Sequence, residues 1–217
     1  MNMSSDVPAI DPFEVQRVLA EDQDLRSLRQ RFPSLEERNY VLVMNGPDPS
    51  YFDELCKGPA KGRRGEVVLV VCHADGTIWL HAKPFYPAGI YRLPTGGVHL
   101  GESAWEAAQR ELWEELGLKG EPAQCLGLLR YEMFRRGRSL HFSSFVFRFD
   151  AGTAEPHPQD SAEHISSFQR VPPAELAKVA RALTDLRGQW QDWGNFRAAV
   201  HEFVYEIWSR ASAWPQG

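Results

Sequence analysis

The sequence predicts an α/β (α+β) chain in which a mixed β-sheet lies between helices, with helical extensions at both ends. Three observations predict it. Residues 66–74 form a nearly continuous β-branched run, which suits a buried strand. Two strand-like stretches, 124–134 and 139–149, flank a turn at Arg135-Arg136-Gly137-Arg138. Amphipathic helical segments precede, interrupt and follow these strands.

Taken in order, residues 11–31 read as a helix, because Val15, Val18, Leu19, Leu25 and Leu28 recur at spacings of three or four among charged residues. Pro33 ends that segment. Residues 40–44 suit a short strand, and residues 45–50 and 57–65 read as loops. After the run at 66–74, a turn at 74–76 leads into a second strand over 77–85. Residues 91–94 enter a glycine-rich loop, and 103–116 form a helix. Beyond the hairpin, 165–171 read as a strand and 172–183 as a helix opened by prolines. In the tail, Phe196, Val200, Phe203, Val204 and Ile207 form one apolar stripe from Asn195 to about Arg210, a helix docked on the rest. Trp190, Trp193 and Trp208 read as its packing residues, with a homodimer contact as the alternative. This divides the chain into an N-terminal helical extension and linker (1–61), a main domain (62–186) and a helical tail (187–217).

The totals narrow the function. The 217 residues are 43% hydrophobic and 24% charged, ordinary for a globular chain with a real core. A net charge of −5 disfavours nucleic acid or an anionic membrane as a general partner. The three cysteines, Cys56, Cys72 and Cys125, have neither metal-site nor redox spacing, so reduced thiols in a cytoplasm are expected. The first residues lack a basic region followed by an apolar run, and no apolar stretch is long enough to span a bilayer.

The chemistry lies between Leu93 and Leu118. Ser103 with Glu106 makes a capping box, Trp105, Ala108, Leu112 and Leu116 form an apolar stripe, and Gly117 ends the helix. Beside that stripe, Glu111, Glu114 and Glu115 fall on adjoining parts of one face. Three like charges so close repel, the more so when buried. A divalent cation removes the repulsion, and carboxylate oxygens are what hard Mg²⁺ or Mn²⁺ prefers. Thr95-Gly96-Gly97 precedes the helix, and its glycines permit close backbone approach, so a backbone carbonyl there could complete a metal shell. Glu102 and Arg110 are placed to brace the loop against the helix, and Arg110 and Glu114, four apart, can pair.

Gly96, Glu102, Arg110, Glu111, Leu112, Glu114, Glu115, Gly117 and Leu118 match every fixed position of the Nudix box, so the segment resembles the Nudix hydrolase family. The resemblance implies an α/β/α sandwich around a mixed sheet. It implies Glu111 and Glu115 as principal ligands of Mg²⁺ or Mn²⁺, Glu114 as a direct or water-mediated ligand, and the Thr95 carbonyl as a further one. Gly96, Glu102, Arg110 and Gly117 would be structural. A catalytic acidic residue from a later loop is matched best by Glu163, with Asp160 close by, and the general base is left open among Glu163, Glu114 and Glu115. Two positions depart from the common pattern: Thr95 where many members carry glycine, and His99 where Glu is common. Neither touches the glutamate trio.

The activity so implied is metal-dependent hydrolysis of a phosphoanhydride in a nucleoside diphosphate linked to another group, with a nucleotide derivative as substrate. Lys83, Arg92 and Arg135 are candidates for substrate phosphate and Tyr131 for the base, against the alternatives of hairpin solubility and sheet packing. Two other readings stand beside this one: a ligand-sensing, non-catalytic domain of the same fold, and a hydrolase of RNA 5′ ends, which the acidic balance disfavours.

Overall fold

The computed structural model describes residues 11–210. The chain start discussed above lies outside that range. The elements are α1 (Pro12–Arg31), β1 (Glu36–Val43), α2 (Ser50–Cys56), β2 (Arg63–Cys72), β3 (Ile78–Ala82), β4 (Thr95–His99), α3 (Ala104–Leu116), β5 (Gln124–Arg135), β6 (Arg138–Asp150), β7 (Ser167–Val171), α4 (Leu176–Thr184) and α5 (Gln191–Arg210).

Seven strands form one mixed sheet in the order β1-β5-β6-β2-β3-β7, with β4 pairing β2 beside that path. β1 runs parallel to β5 and β2 parallel to β6, while the other pairs are antiparallel. The buried run of β2 explains the layering. Val67, Leu69 and Val71 face a core shared with α1 and α3, and Val68, Val70 and Cys72 face one shared with α2, α4 and α5. Alternate residues of one strand thus serve two apolar layers, which is why its sequence is hydrophobic throughout. The mixed sheet between helices that the sequence predicts is the architecture found.

Several elements differ from expectation for identifiable reasons. Thr95–His99, expected as loop, pairs with β2 as β4. β1 is longer than expected and forms the sheet edge against β5. The segment following residue 50 is a short helix whose Phe52 and Leu55 are buried. In α1 only the second half of the expected apolar stripe is inside: Leu25 and Leu28 are buried, while Val15, Val18 and Leu19 are 41%, 42% and 62% exposed. This helix docks instead through two buried acids. Asp24 accepts from Arg64 Nη2 at 2.5 Å and from the Ala104 amide at 3.2 Å, and so reaches the first turn of α3. Glu21 accepts from Arg17 and Arg130 and from the Ser143 hydroxyl.

The capping box of α3 is present, with the Glu106 amide donating to Ser103 Oγ at 3.2 Å and the Ser103 amide to Glu106 Oε2 at 2.8 Å. Gly117 closes the helix at φ 67°, where a side chain would also collide with the His157 carbonyl. α5 begins at Gln191, a few residues before the expected start, and buries Phe196, Val200, Phe203 and Val204. Among the described residues no helix is long and apolar enough to cross a membrane.

Candidate active site

α3 carries Glu111 and Glu115 inward and leaves Glu114 at its rim. Glu111 is 4% exposed and Glu115 is fully buried. Glu111 lies directly under β4: a β-carbon added at Gly96 would overlap its carboxylate. The glycine is therefore a cradle for that side chain, a close approach no larger residue allows. Arg110 joins helix to strand. Its Nη1 donates to Glu111 Oε1 at 2.7 Å and Glu114 Oε2 at 2.8 Å; its Nη2 donates to the Gly97 carbonyl and Glu102 Oε1, both at 2.8 Å. Glu102 in turn accepts from the His99 amide at 2.9 Å. Arg110 and Glu102 thus tie loop and helix into one network.

On the other side of α3, Lys83 follows β3 and stands between two carboxylates. Its Nζ lies 2.8 Å from Glu163 Oε2 and 3.5 Å from Glu115 Oε1. Glu163, 48 positions after Glu115, is thereby brought to the glutamate pair. Asp160 instead caps its own turn by accepting from the Ala162 amide. Glu115 thus meets Lys83 only at ion-pair distance, with the Glu163 carboxylate close by.

Burial sets the electrostatics. It pushes Glu111 up to about 7, against the opposing pull of Arg110. It pushes Glu115 up to about 8, against Arg92 and Lys83, with Glu111 and Glu163 adding like-charge repulsion. Burial also works most strongly against the charged form of Glu163, but the hydrogen bond and charge of Lys83, a hydrogen bond with Glu115 and the charge of Arg92 together outweigh it, and its carboxyl is held below the ordinary range.

Among the described residues no three His, Cys, Asp or Glu side chains form a ready-made metal shell. Two side-chain cations stand there: Arg110 draws on Glu111 and Glu114, and Lys83 on Glu115 and Glu163. The residues nevertheless fit a hard divalent ion. The donors are all carboxylate oxygens, the Gly96 cradle leaves the backbone of β4 against them, and among the described residues Glu115 is met by no cation nearer than Lys83 Nζ at 3.5 Å.

The other candidates divide. Arg92 is 4% exposed and is used internally: its Nε donates to Tyr86 Oη at 2.7 Å, and its Nη1 to the Leu93 carbonyl at 2.8 Å and Thr95 Oγ1 at 2.9 Å. It fixes the entry into β4 and lends positive charge to Glu115. Arg135 belongs elsewhere. It is buried, donates to the Met44 and Gly46 carbonyls at 2.8 and 2.9 Å, and pairs with Asp192 at 2.9 Å, so it joins the β5 end to α5. Tyr131 is 2% exposed between Tyr40 and Phe196, a core ring with ring centroids 5.4 and 4.8 Å away. Substrate contact is not where the structure places these two; strand-end anchoring and core packing are, because both side chains fall on the face that α5 covers.

Sequence reasoning also missed neighbours of the site. His81 is fully buried beside Tyr86, and neither ring nitrogen has a partner among the described residues. His201 of α5 accepts from the Leu93 amide at 3.0 Å. These contacts join residues far apart in the chain, and no local spacing signals them.

Comparison with known proteins gives the family of the chain. The model of the NUDIX domain matches residues 62–193. An RNA pyrophosphohydrolase of Pseudoalteromonas atlantica is 35% identical over 81 residues, which are 36% of this chain and 45% of that protein. One of Shewanella pealeana is 40% identical over 79 residues, 35% of this chain and 44% of that one. The chain therefore spans less than half the length of these curated relatives. A MutT protein of Methanosarcina mazei superposes with a TM-score of 0.45 at 17% identity, over 83% of this chain and all of that one. A mutator MutT protein of Bacillus halodurans gives 0.46 at 20% identity, over 64% and 80%. Since the matched domain takes in well over half of the sequence and contains the whole glutamate cluster, the chain belongs to the NUDIX domain family.

Proposed function

We propose that this chain is a divalent-metal-dependent hydrolase that cleaves a phosphoanhydride bond in a nucleoside diphosphate linked to another group. The observation that carries the reading is Glu115: a fully buried carboxylate crowded by the Glu111 and Glu163 carboxylates, with Lys83 Nζ at 3.5 Å against them, beside Glu111 in its glycine cradle. Leaving an acid in that state costs stability unless a cation or proton completes it. Glu111 and Glu115 are the residues to hold Mg²⁺ or Mn²⁺, with Glu114 at the rim and the Thr95 carbonyl as a further donor. Bound there, the ion would supply Lewis-acid activation of water and charge neutralisation on the phosphates.

The chain's own residues do the rest. Glu163, held below its ordinary range chiefly by Lys83 among its neighbours, takes the proton of the attacking water in this reading. Lys83 offers a positive charge between Glu163 and Glu115, and its ammonium has a donor for a phosphate oxygen while it keeps its bond to Glu163. Arg110, already committed to Glu102 and the Gly97 carbonyl, keeps β4 at a fixed height over α3. Glu114 and Glu115 remain the alternative bases.

The test is turnover of a panel of nucleoside diphosphate derivatives with Mg²⁺ or Mn²⁺, read as released phosphate species, for the wild type and Glu115→Gln. The reading expects metal-dependent hydrolysis by the wild type and a loss on the order of 10²-fold or more in the variant, with the fold intact. Equal rates would remove Glu115 from the mechanism, and no hydrolysis of any compound would favour a sensing domain.

A second reading has one observation behind it: the curated relatives described above, two among several, are named RNA pyrophosphohydrolases. Adding 5′-triphosphorylated RNA to the panel separates the two. The net charge of −5 favours the small nucleotide derivative.

A further inference from the structure

Across β4 from the glutamate cluster lies a second polar feature that the hydrolytic reading does not use. A cavity of ≈130 Å³ opens between α2, the start of β2 and α5, lined by Tyr51, Leu55, Lys61, Arg63, Phe142 and Arg197 with Glu54 and Gly58. Two of its lining residues carry a buried polar atom with no partner among the described residues: the Tyr51 hydroxyl and Arg197 Nε. Both atoms can donate. Arg197 is 7% exposed and spends its Nη1 on both oxygens of Glu66, at 2.9 and 2.8 Å, which leaves Nε–H over. Burial pushes the Tyr51 phenol up to about 12, so it keeps its proton. Buried donors left unpaired are costly, so their coincidence among the residues of one cavity points to an acceptor that belongs there.

The charges around the cavity say which acceptor. Lys61, Arg63 and Arg197 line it; against them stand Glu54, paired with Lys61 at 2.5 Å, and Glu66, which both Arg197 and Arg63 reach, at 2.8 and 3.3 Å. Three cations against two carboxylates leave one positive charge in excess. Arg63 reaches over Phe142 and lies against Gly97, the residue whose carbonyl Arg110 holds on the glutamate side. A single strand thus separates the two sites, and in the sheet β4 is hydrogen-bonded to β2 alone.

We propose that this cavity is an oxyanion site that takes one phosphoryl-sized anion, held by Tyr51 Oη–H and Arg197 Nε–H, with Arg63 and Lys61 supplying the charge. The anion is either free inorganic phosphate or a phosphoryl group of a ligand that reaches around the β4 edge; the recognition chemistry is the same.

The test is binding, so it does not depend on the chain turning over any substrate. Inorganic phosphate is titrated into the full chain in a chloride buffer without divalent metal, by calorimetry, for the wild type, Tyr51→Phe, Arg63→Gln and Glu115→Gln. Saturable binding is expected in the wild type, weakened roughly tenfold by Tyr51→Phe through one charge-assisted hydrogen bond. Arg63→Gln weakens it several-fold, and Glu115→Gln leaves it unchanged. Thermal unfolding without phosphate checks that Tyr51→Phe is folded, as expected for loss of an unpartnered hydroxyl. Repeating the titration with saturating adenosine diphosphate identifies the source: displacement assigns the site to a ligand's phosphoryl group, and simultaneous binding assigns it to free phosphate. No saturable binding, wild-type affinity in Tyr51→Phe and Arg63→Gln, or binding abolished by Glu115→Gln alone would overturn the proposal.

Discussion

A neutral imidazole ties the last helix to the strand that leads into the site. His201 accepts from the Leu93 amide through Nε2, so its proton sits on Nδ1, which donates to the Arg197 carbonyl at 2.8 Å. A second proton on Nε2 would face the Leu93 N–H and break this bond. Burial accordingly pushes His201 from 6.5 down to about 3. Between those values the unfolded chain binds a proton that the native chain does not. Stability is therefore full above pH 6.5 and falls by about 1.4 kcal/mol per unit below it. His81, buried and held well below its ordinary value, adds the same sign. Denaturant unfolding from pH 7.5 to 5 should show this loss, with a shallower slope in His201→Gln; an unchanged slope would contradict the assigned tautomer. Gly96 supplies a second prediction at this scale. Gly96→Ala drives a methyl into the Glu111 carboxylate, and should cost about 1–3 kcal/mol in urea unfolding along with most metal-dependent turnover.

Among the elements, α1 is the one whose docking the sequence misleads about most. Its apolar residues at spacings of three and four describe a stripe, yet Leu19 is 62% exposed while Glu21 and Asp24 are 6% exposed. Local periodicity records which residues share a face and is silent on which face is covered. The covering here comes from Arg64, Arg130 and Ser143, which lie 40 to 122 positions away from their acids. Asp24→Ala should therefore cost about 3–5 kcal/mol, because it leaves Arg64 buried without its carboxylate, whereas Leu19→Gln should stay within about 0.5 kcal/mol. Equal effects in equilibrium unfolding would show that the helix docks by its apolar residues after all. The opposite holds for α3. Its cap, its stripe and its Gly117 terminus were all readable, because each is a contact between residues within a turn or two. β4 was not, since glycines suit a loop until a partner strand and Glu111 are known to press on them.

For the molecule as a whole, the sheet does not stop at the matched domain. β1 forms its edge on β5, and Leu25, Leu28 and Leu35 share a core with Val67, Leu69 and Val71. At the other end, α5 supplies Phe196, Val200 and Phe203 to the opposite core. A chain begun at residue 62 is predicted to lose cooperative unfolding by circular dichroism; a sharp transition near that of the full chain would show that the first 61 residues are an accessory. Within this frame the glutamate trio was legible from the sequence because helical spacing fixes it, and Glu163 only through the family resemblance. Lys83 reads as a candidate for substrate phosphate, but its pairing with Glu163 and Glu115 was not legible, since it depends on β3 ending beside a loop 80 positions later. The central claim is that the carboxylates of α3 hold a divalent cation. Titration of the chain with Mn²⁺, followed by the loss of the free-ion electron paramagnetic resonance signal, tests it most directly. Saturable binding in the wild type, weakened at least about tenfold in Glu115→Gln, is the predicted result; Mn²⁺ that stays free in the wild type, or binds both proteins equally, would contradict it.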